Sequence, residues 1–167
     1  MQLVLRFHLR LIIYLFCIIL ATTAFAQNRN LQTLIDQLRA NLPTAKDPAS
    51  TFARLGLLYL RLEKADSAEA SFQNALTVRP DLAIAHTGLG RVYMDLRKKP
   101  DKALPHFEKA VEIDTTDIDT HDRLIHTLLA LEHTGGRARK ISSKTIARFP
   151  DLSSPHLLLA RAHNEDG

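Results

Sequence analysis

The chain of 167 residues has no tryptophan and a single cysteine, Cys17, which falls within the first 26 residues. Beyond residue 26 there is no thiol, so disulfides, thiolate metal sites and cysteine nucleophiles are excluded and stability must come from packing. No Gly-x-Ser-x-Gly elbow, glycine-rich phosphate loop or H-E-x-x-H helix is present, which removes the usual signatures of hydrolases, nucleotide binders and zinc proteases. The acidic run Asp114-Thr115-Thr116-Asp117-Ile118-Asp119 lacks both the turn glycine and the closing glutamate of a calcium loop. It reads as a connector whose acids favour the start of the next helix.

The longest apolar run, Leu11–Leu20, is shorter than the roughly 20 residues needed to cross about 30 Å of hydrocarbon. Arg6 and Arg10 precede it without an acid, and Ala24-Phe25-Ala26 follows as a small-x-small site ahead of Gln27. Residues 1–26 therefore read as a bacterial-type signal peptide, cleaved after Ala26, with a periplasmic or extracellular destination. Contact with a membrane is expected only if the signal is retained as an anchor. Leu15-Phe16-Cys17-Ile18 lacks the small residues that precede a lipidated cysteine. Of 22 basic residues, removing Arg6 and Arg10 leaves 20 against 18 acidic ones. The charges alternate in sign along the sequence, which speaks against a nucleic-acid partner.

What is present is a repeat. Phe52, Leu55, Gly56 and Tyr59 return as His86, Leu89, Gly90 and Tyr93, then as His121, Leu124, Ile125 and Leu128, then as His156, Leu159, Ala160 and His163. Each set is spaced i, i+3, i+4, i+7 and so forms one face of a helix. A second set follows each of the first three, namely Ala68, Phe72 and Ala75, then Ala103, Phe107 and Ala110, then Ala138, Ser142 and Thr145, with Pro80, Thr115 and Pro150 closing the units. Each unit is thus a helical hairpin. Its small residues allow close approach, and its large ones fill the space around the contact.

With tryptophan replaced by Phe52, the pattern W-x2-L-G-x2-Y, A-x3-F, P at a period near 34 resembles the tetratricopeptide repeat. The resemblance implies an all-α fold, a helix-turn-helix repeat solenoid wound as a right-handed superhelix. It places repeats at 49–82, 83–117 and 118–152, together spanning 49–152. The second unit has one extra residue in the Arg97-Lys98-Lys99-Pro100 turn, and the third is degenerate, with Ile125, Ser142 and Thr145 in place of the small residue, the phenylalanine and the alanine. Before the array, residues 27–48 provide a capping helix and linker, with Leu31, Leu34, Ile35, Leu38 and Leu42 on one face. After it, residues 153–167 supply the first helix of an incomplete fourth repeat, whose Leu157, Leu158 and Leu159 could pair two copies as a homodimer.

The resemblance implies a non-enzymatic protein-interaction scaffold that binds a peptide or protein segment in a concave groove, with no catalytic residue, cofactor or metal. By register the groove presents Ser50, Ala53, Leu57 and Leu60, then Ile84, Thr87, Arg91 and Met94, then Asp119, Asp122, His126 and Leu129. Ala53 and Leu57 replace the Lys and Asn residues with which chaperone-binding members hold a terminal carboxylate. Two other readings stand beside it: the N-terminal sensory or docking part of a longer, truncated protein, and a metal-binding protein or enzyme built on the histidines. Against the last, His86, His121 and His156 occupy the same place in successive units and should not converge, and neither His121 with His126 nor His126 with His133 has the i, i+4 spacing of helical zinc motifs. If His86 and His121 are buried and neutral, stability should fall as pH drops through the histidine range near 6.5.

Overall fold

The computed structural model describes Tyr14 and residues 27–131, 135–151, 155–156 and 159–160, with nothing of the Gly135 environment. Apart from Tyr14, the expected signal segment 1–26 lies outside the described residues, as do His133, Leu157, Leu158 and His163. No helix among the described residues is long and apolar enough to cross a membrane. The chain divides into two units, Met1–Asn41 and Leu42–Gly167.

In the first unit, residues 27–41 form helix α1. Gln32 and Asp36 are hydrogen-bonded across one turn at 3.1 Å, and the Thr33 hydroxyl donates to the Arg29 carbonyl at 3.1 Å. Ile35 is fully buried, but Leu34, expected on the same stripe, is 43% exposed. A step of one residue turns a helix by about 100°, so two adjacent positions cannot both face inward on a narrow stripe.

The second unit opens with a 3-10 turn at Leu42–Thr44, followed by α2 (Pro48–Arg61), α3 (Ala65–Val78), α4 (Ala83–Arg91), α5 (Pro100–Ile113), α6 (Ile118–Leu129) and α7 (Gly135–Arg148). Each helix from α2 onward packs on the next, and α2 also touches α4. Local chemistry sets the starts. Asp47 caps α2, accepting from the Ser50 amide at 3.2 Å and its hydroxyl at 2.6 Å, with Pro48 in the first turn. Asp117 caps α6 in the same way through Thr120, at 3.3 and 2.6 Å. Asp114 closes the preceding turn onto the Thr116 amide and hydroxyl, and these bonds lower its carboxyl pKa.

Phe72 and Phe107, both without exposed surface, are the pivots of the first two hairpins. A Cβ added to Gly56 would come within 2.6 Å of the Phe72 ring, and one added to Gly90 within 2.6 Å of the Phe107 ring. Gly88, between the marked His86 and Leu89, also lies against the Phe72 ring so closely that a Cβ would overlap it. Phe72 thus sits between the first helices of two successive units, which is how stacking joins hairpins into one core.

The extra residue of the second unit has a definite place. Val92–Leu96 is a π-helical turn continuing from α4, with the Arg97 amide donating to the Val92 carbonyl at 3.0 Å. The chain then turns through Lys98 at φ 54°, as it does through Glu63 at φ 55° in the first unit. The insertion is absorbed as a π-bulge, and the turn after it repeats the geometry of its predecessor.

The third hairpin inverts the size pattern. Ile125 takes the position of Gly56 and Gly90, Ser142 that of Phe72 and Phe107, and both are fully buried. The register that sets Phe72 against Gly56 sets Ser142 opposite Ile125, so the bulk moves from the second helix to the first. What reads as degeneracy in sequence is, by register, an exchange of bulk between the two helices. Its cost is visible: the Ser142 hydroxyl oxygen is buried with no hydrogen-bond partner.

Candidate peptide-binding groove and inter-repeat contacts

The positions assigned to the groove by register fall into three groups. Ala53 at 2%, Leu60 at 7% and Leu129 at 8% exposure are core residues. Ala53 and Leu60 belong to the cluster around Phe72, and Leu129 to the one around Phe107. This corrects their assignment: apolar side chains at the edge of the first-helix face are taken up by contacts within the array, where burial stabilises them. Leu57 and Met94 are half-buried, packed against those two clusters and open on one side. Ser50, Thr87, Arg91 and Asp122 are half-buried, while Asp119, His126 and Ile84 are exposed.

Several of these residues are joined. Thr87 and Thr120 share a hydrogen bond of 2.9 Å between α4 and α6. Arg91 lies 3.7 Å from Asp95, Asp95 lies 3.4 Å from Arg123, and the Arg123 Nε donates to Asp119 at 2.8 Å. Arg91 and Asp119 therefore stand at the two ends of a ladder of alternating charge that crosses from one first helix to the next. The Arg91 Nε is buried and has no hydrogen-bond partner.

Sequence reasoning missed a second polar cluster, on α3, α4 with its π turn, and α5. The Tyr93 hydroxyl donates to Glu69 at 2.5 Å, and Arg97 donates to Glu69 at 2.6 Å and to Asp66 at 2.7 Å. The bond to the Glu69 carboxylate pushes the Tyr93 hydroxyl above its usual pKa. The His106 ring stacks on Tyr93 at 5.6 Å and lies 5.9 Å from the His86 ring. Burial, and next the neighbouring His86, lower the His106 pKa, with Glu69 opposing. The signal was available in the acid pair Asp66/Glu69 and in Tyr93 with Arg97, each on one helical face. Matching the two pairs required knowing how the hairpins stack.

The repeated histidines have a shared task. The Nε2 of His86 faces the Pro80 carbonyl at 3.0 Å, that of His121 the Thr115 carbonyl at 3.3 Å, and that of His156 the Pro150 carbonyl at 3.3 Å. Only an N–H can bond a carbonyl, so Nε2 carries the proton in each. His121 is buried and its Nδ1 meets the Thr145 hydroxyl at 3.2 Å, while His86 is half-buried and His156 exposed. Among the described residues no three His, Cys, Asp or Glu side chains are placed to hold a metal ion.

The profile of the tetratricopeptide repeat family matches residues 47–116, which hold α2 through α5 and the three glycine-phenylalanine contacts. Residues 47–116 are thus similar to the tetratricopeptide repeat family. Tetratricopeptide repeat protein 37 of Xenopus laevis is 29% identical over 89 residues, covering 52% of this chain, while the chain spans 6% of that relative's length. Among solved structures, MamA superposes with a TM-score of 0.73 at 17% identity over 84% of this chain and 81% of its own. The first tetratricopeptide repeat unit of Spaghetti, bound to an HSP90 peptide, superposes with a TM-score of 0.63 at 19% identity over 70% of this chain and 90% of its own. At these identities the structures establish the repeat solenoid and nothing finer.

Proposed function

We propose that the repeats form a scaffold that holds a peptide or protein segment along the first helices α2, α4 and α6. The contact surface consists of Leu57, Thr87, Arg91, Met94, Asp119, Asp122 and His126. The observation that carries this reading is the Arg91-Asp95-Arg123-Asp119 ladder of alternating charge that runs from α4 to α6. A ligand carboxylate or carbonyl at the half-buried Arg91 guanidinium would form a charge-assisted hydrogen bond. Leu57 and Met94 offer half-covered apolar surface for neighbouring side chains of the same ligand. The peptide complex of the Spaghetti repeats supports the choice of ligand class, since that protein shares the fold.

Peptides selected from a random display library against the purified chain test this. The selected sequences should combine acidic and apolar residues, and the double variant Leu57→Lys, Arg91→Glu should bind them about tenfold more weakly or worse, with its helical circular dichroism intact. Undiminished binding by a folded double variant would remove the groove from the account. Export is proposed on the sequence of residues 1–26. N-terminal sequencing of the chain from its producing cells should then begin at Gln27, and a chain still carrying Met1 would overturn it.

A further inference from the structure

A recess of about 550 Å³ opens at the third hairpin, lined by Val111, Thr115, His121, Thr145 and Ala147, with Lys144 and Arg148 also on its wall. Its size is that of a small-molecule site. The floor offers little to a polar ligand, because both ring nitrogens of His121 are already engaged by the Thr115 carbonyl and the Thr145 hydroxyl. Val111, Ala147 and the threonine methyls supply an apolar surface.

The wall is cationic for a reason visible in the preceding unit. Thirty-five residues earlier, Lys109 donates to Glu112 at 2.9 Å, and Ile113 ends the helix. In the third unit Lys144 keeps the lysine, Ala147 removes its acid, and Arg148 replaces the isoleucine. Among the described residues Lys144 has no ion pair. Arg148 lies over the Phe149 ring at 5.8 Å and acts on Asp114 through space without a close contact. Helix α7 carries five basic residues and no acid, so the charges that alternate along much of the sequence are segregated here.

We propose that this recess binds an organic carboxylate with an apolar body, the body against Val111 and Ala147 and the carboxylate on Lys144 and Arg148. Two cations one helical turn apart can hold a single carboxylate, and charge-assisted bonds of this kind are the stronger ones. None of the lining residues belongs to the proposed groove, so this site stands or falls apart from it.

Titration of the full chain with decanoate below its micelle concentration, followed by amide NMR shifts, tests the assignment. Decanoate should give saturable shifts at Val111, Thr115 and Ala147, and neither acetate nor decanol should match it. Ala147→Glu, which restores the acid of the preceding unit at an exposed helix position, should weaken binding by about tenfold or more, and Lys144→Gln with Arg148→Gln should abolish it. Arg91→Glu should leave it unchanged. An acetylated tripeptide ending in Leu, free and amidated, separates a peptide C-terminus from a free amphiphile as the source of the carboxylate. Equal binding of decanol, an absence of saturable shifts with both decanoate and the free tripeptide, or indifference of binding to both sets of substitutions would overturn the proposal.

Discussion

The first and third hairpins build the same helix pair from opposite ingredients. In the first, a large ring on the second helix, Phe72, fills the space over a bare backbone at Gly56. In the third, the first helix carries the bulk as Ile125 and the second shrinks to Ser142. By register the bulk gained on the first helix offsets the bulk lost from the second, the kind of volume-preserving exchange that packed cores tolerate. The arrangements are not equal in quality. The first is wholly apolar, whereas the third leaves a hydroxyl buried and unpaired.

The sharpest way to break the first arrangement is Phe72→Ala, which empties the contact with both Gly56 and Gly88. Denaturant unfolding should show a loss of about 3–5 kcal/mol. In the third hairpin, Ser142→Phe alone should destabilise by about 1–3 kcal/mol through overpacking against Ile125. Ile125→Gly alone should be worse, and the double variant should recover at least about 1 kcal/mol of the summed loss, because it recreates the first hairpin's pattern. Simple additivity in that cycle would mean that the two positions are not packed against one another.

Titration separates the regions further. His106, lowered by burial and by His86, favours its neutral form in the fold. A histidine whose folded pKa is depressed contributes no penalty above about 6.5, and stability is lost progressively as pH falls below that value toward the folded pKa. The melting temperature should therefore drop between neutral and mildly acid pH, and less in His106→Phe. At the start of the array Asp47 behaves oppositely. The Ser50 hydroxyl and then Arg79 hold its carboxyl down to about 2, so its contribution is present above about pH 3.8 and disappears as pH falls toward 2. Asp47→Asn should flatten that acid limb. The smallest effect is expected at the turns: Lys98 holds a left-handed backbone at φ 54°, and Lys98→Gly should raise stability by about 0.5–1 kcal/mol.

The repeat fold was legible because its signal is periodic and large: Leu55, Gly56, Tyr59 and Phe72 announce one hairpin, and their return announces the next. The role of Gly88 was hidden because it lies off the marked positions and matters only once Phe72 of the preceding unit is placed beside it. The face proposed as a groove was legible only in part. Register identifies the helix face, but Ala53, Leu60 and Leu129 show that a position on that face can still be covered by its neighbours. The polar cluster of Tyr93, Glu69, Arg97 and His106 was not legible, since Tyr93 and Arg97 meet Glu69, 24 and 28 positions earlier, only through the stacking of hairpins. The histidines were read correctly as spread along the array, but their bonds to the carbonyls at Pro80, Thr115 and Pro150 depend on a turn geometry that spacing does not encode.

The π turn at Val92–Leu96 bears on how such an array tolerates change. A solenoid adds angles from unit to unit, and one surplus residue in a helix would rotate everything after it by about 100°. Widening a single turn works as a phase shifter: the surplus is spent within five residues, and α5 begins at Pro100 in step with its predecessors. Insertions of one residue at the end of a first helix are thus a cheap form of variation for this chain. They alter the local surface next to Arg91 and Asp95 while leaving the stacking of later hairpins as it was.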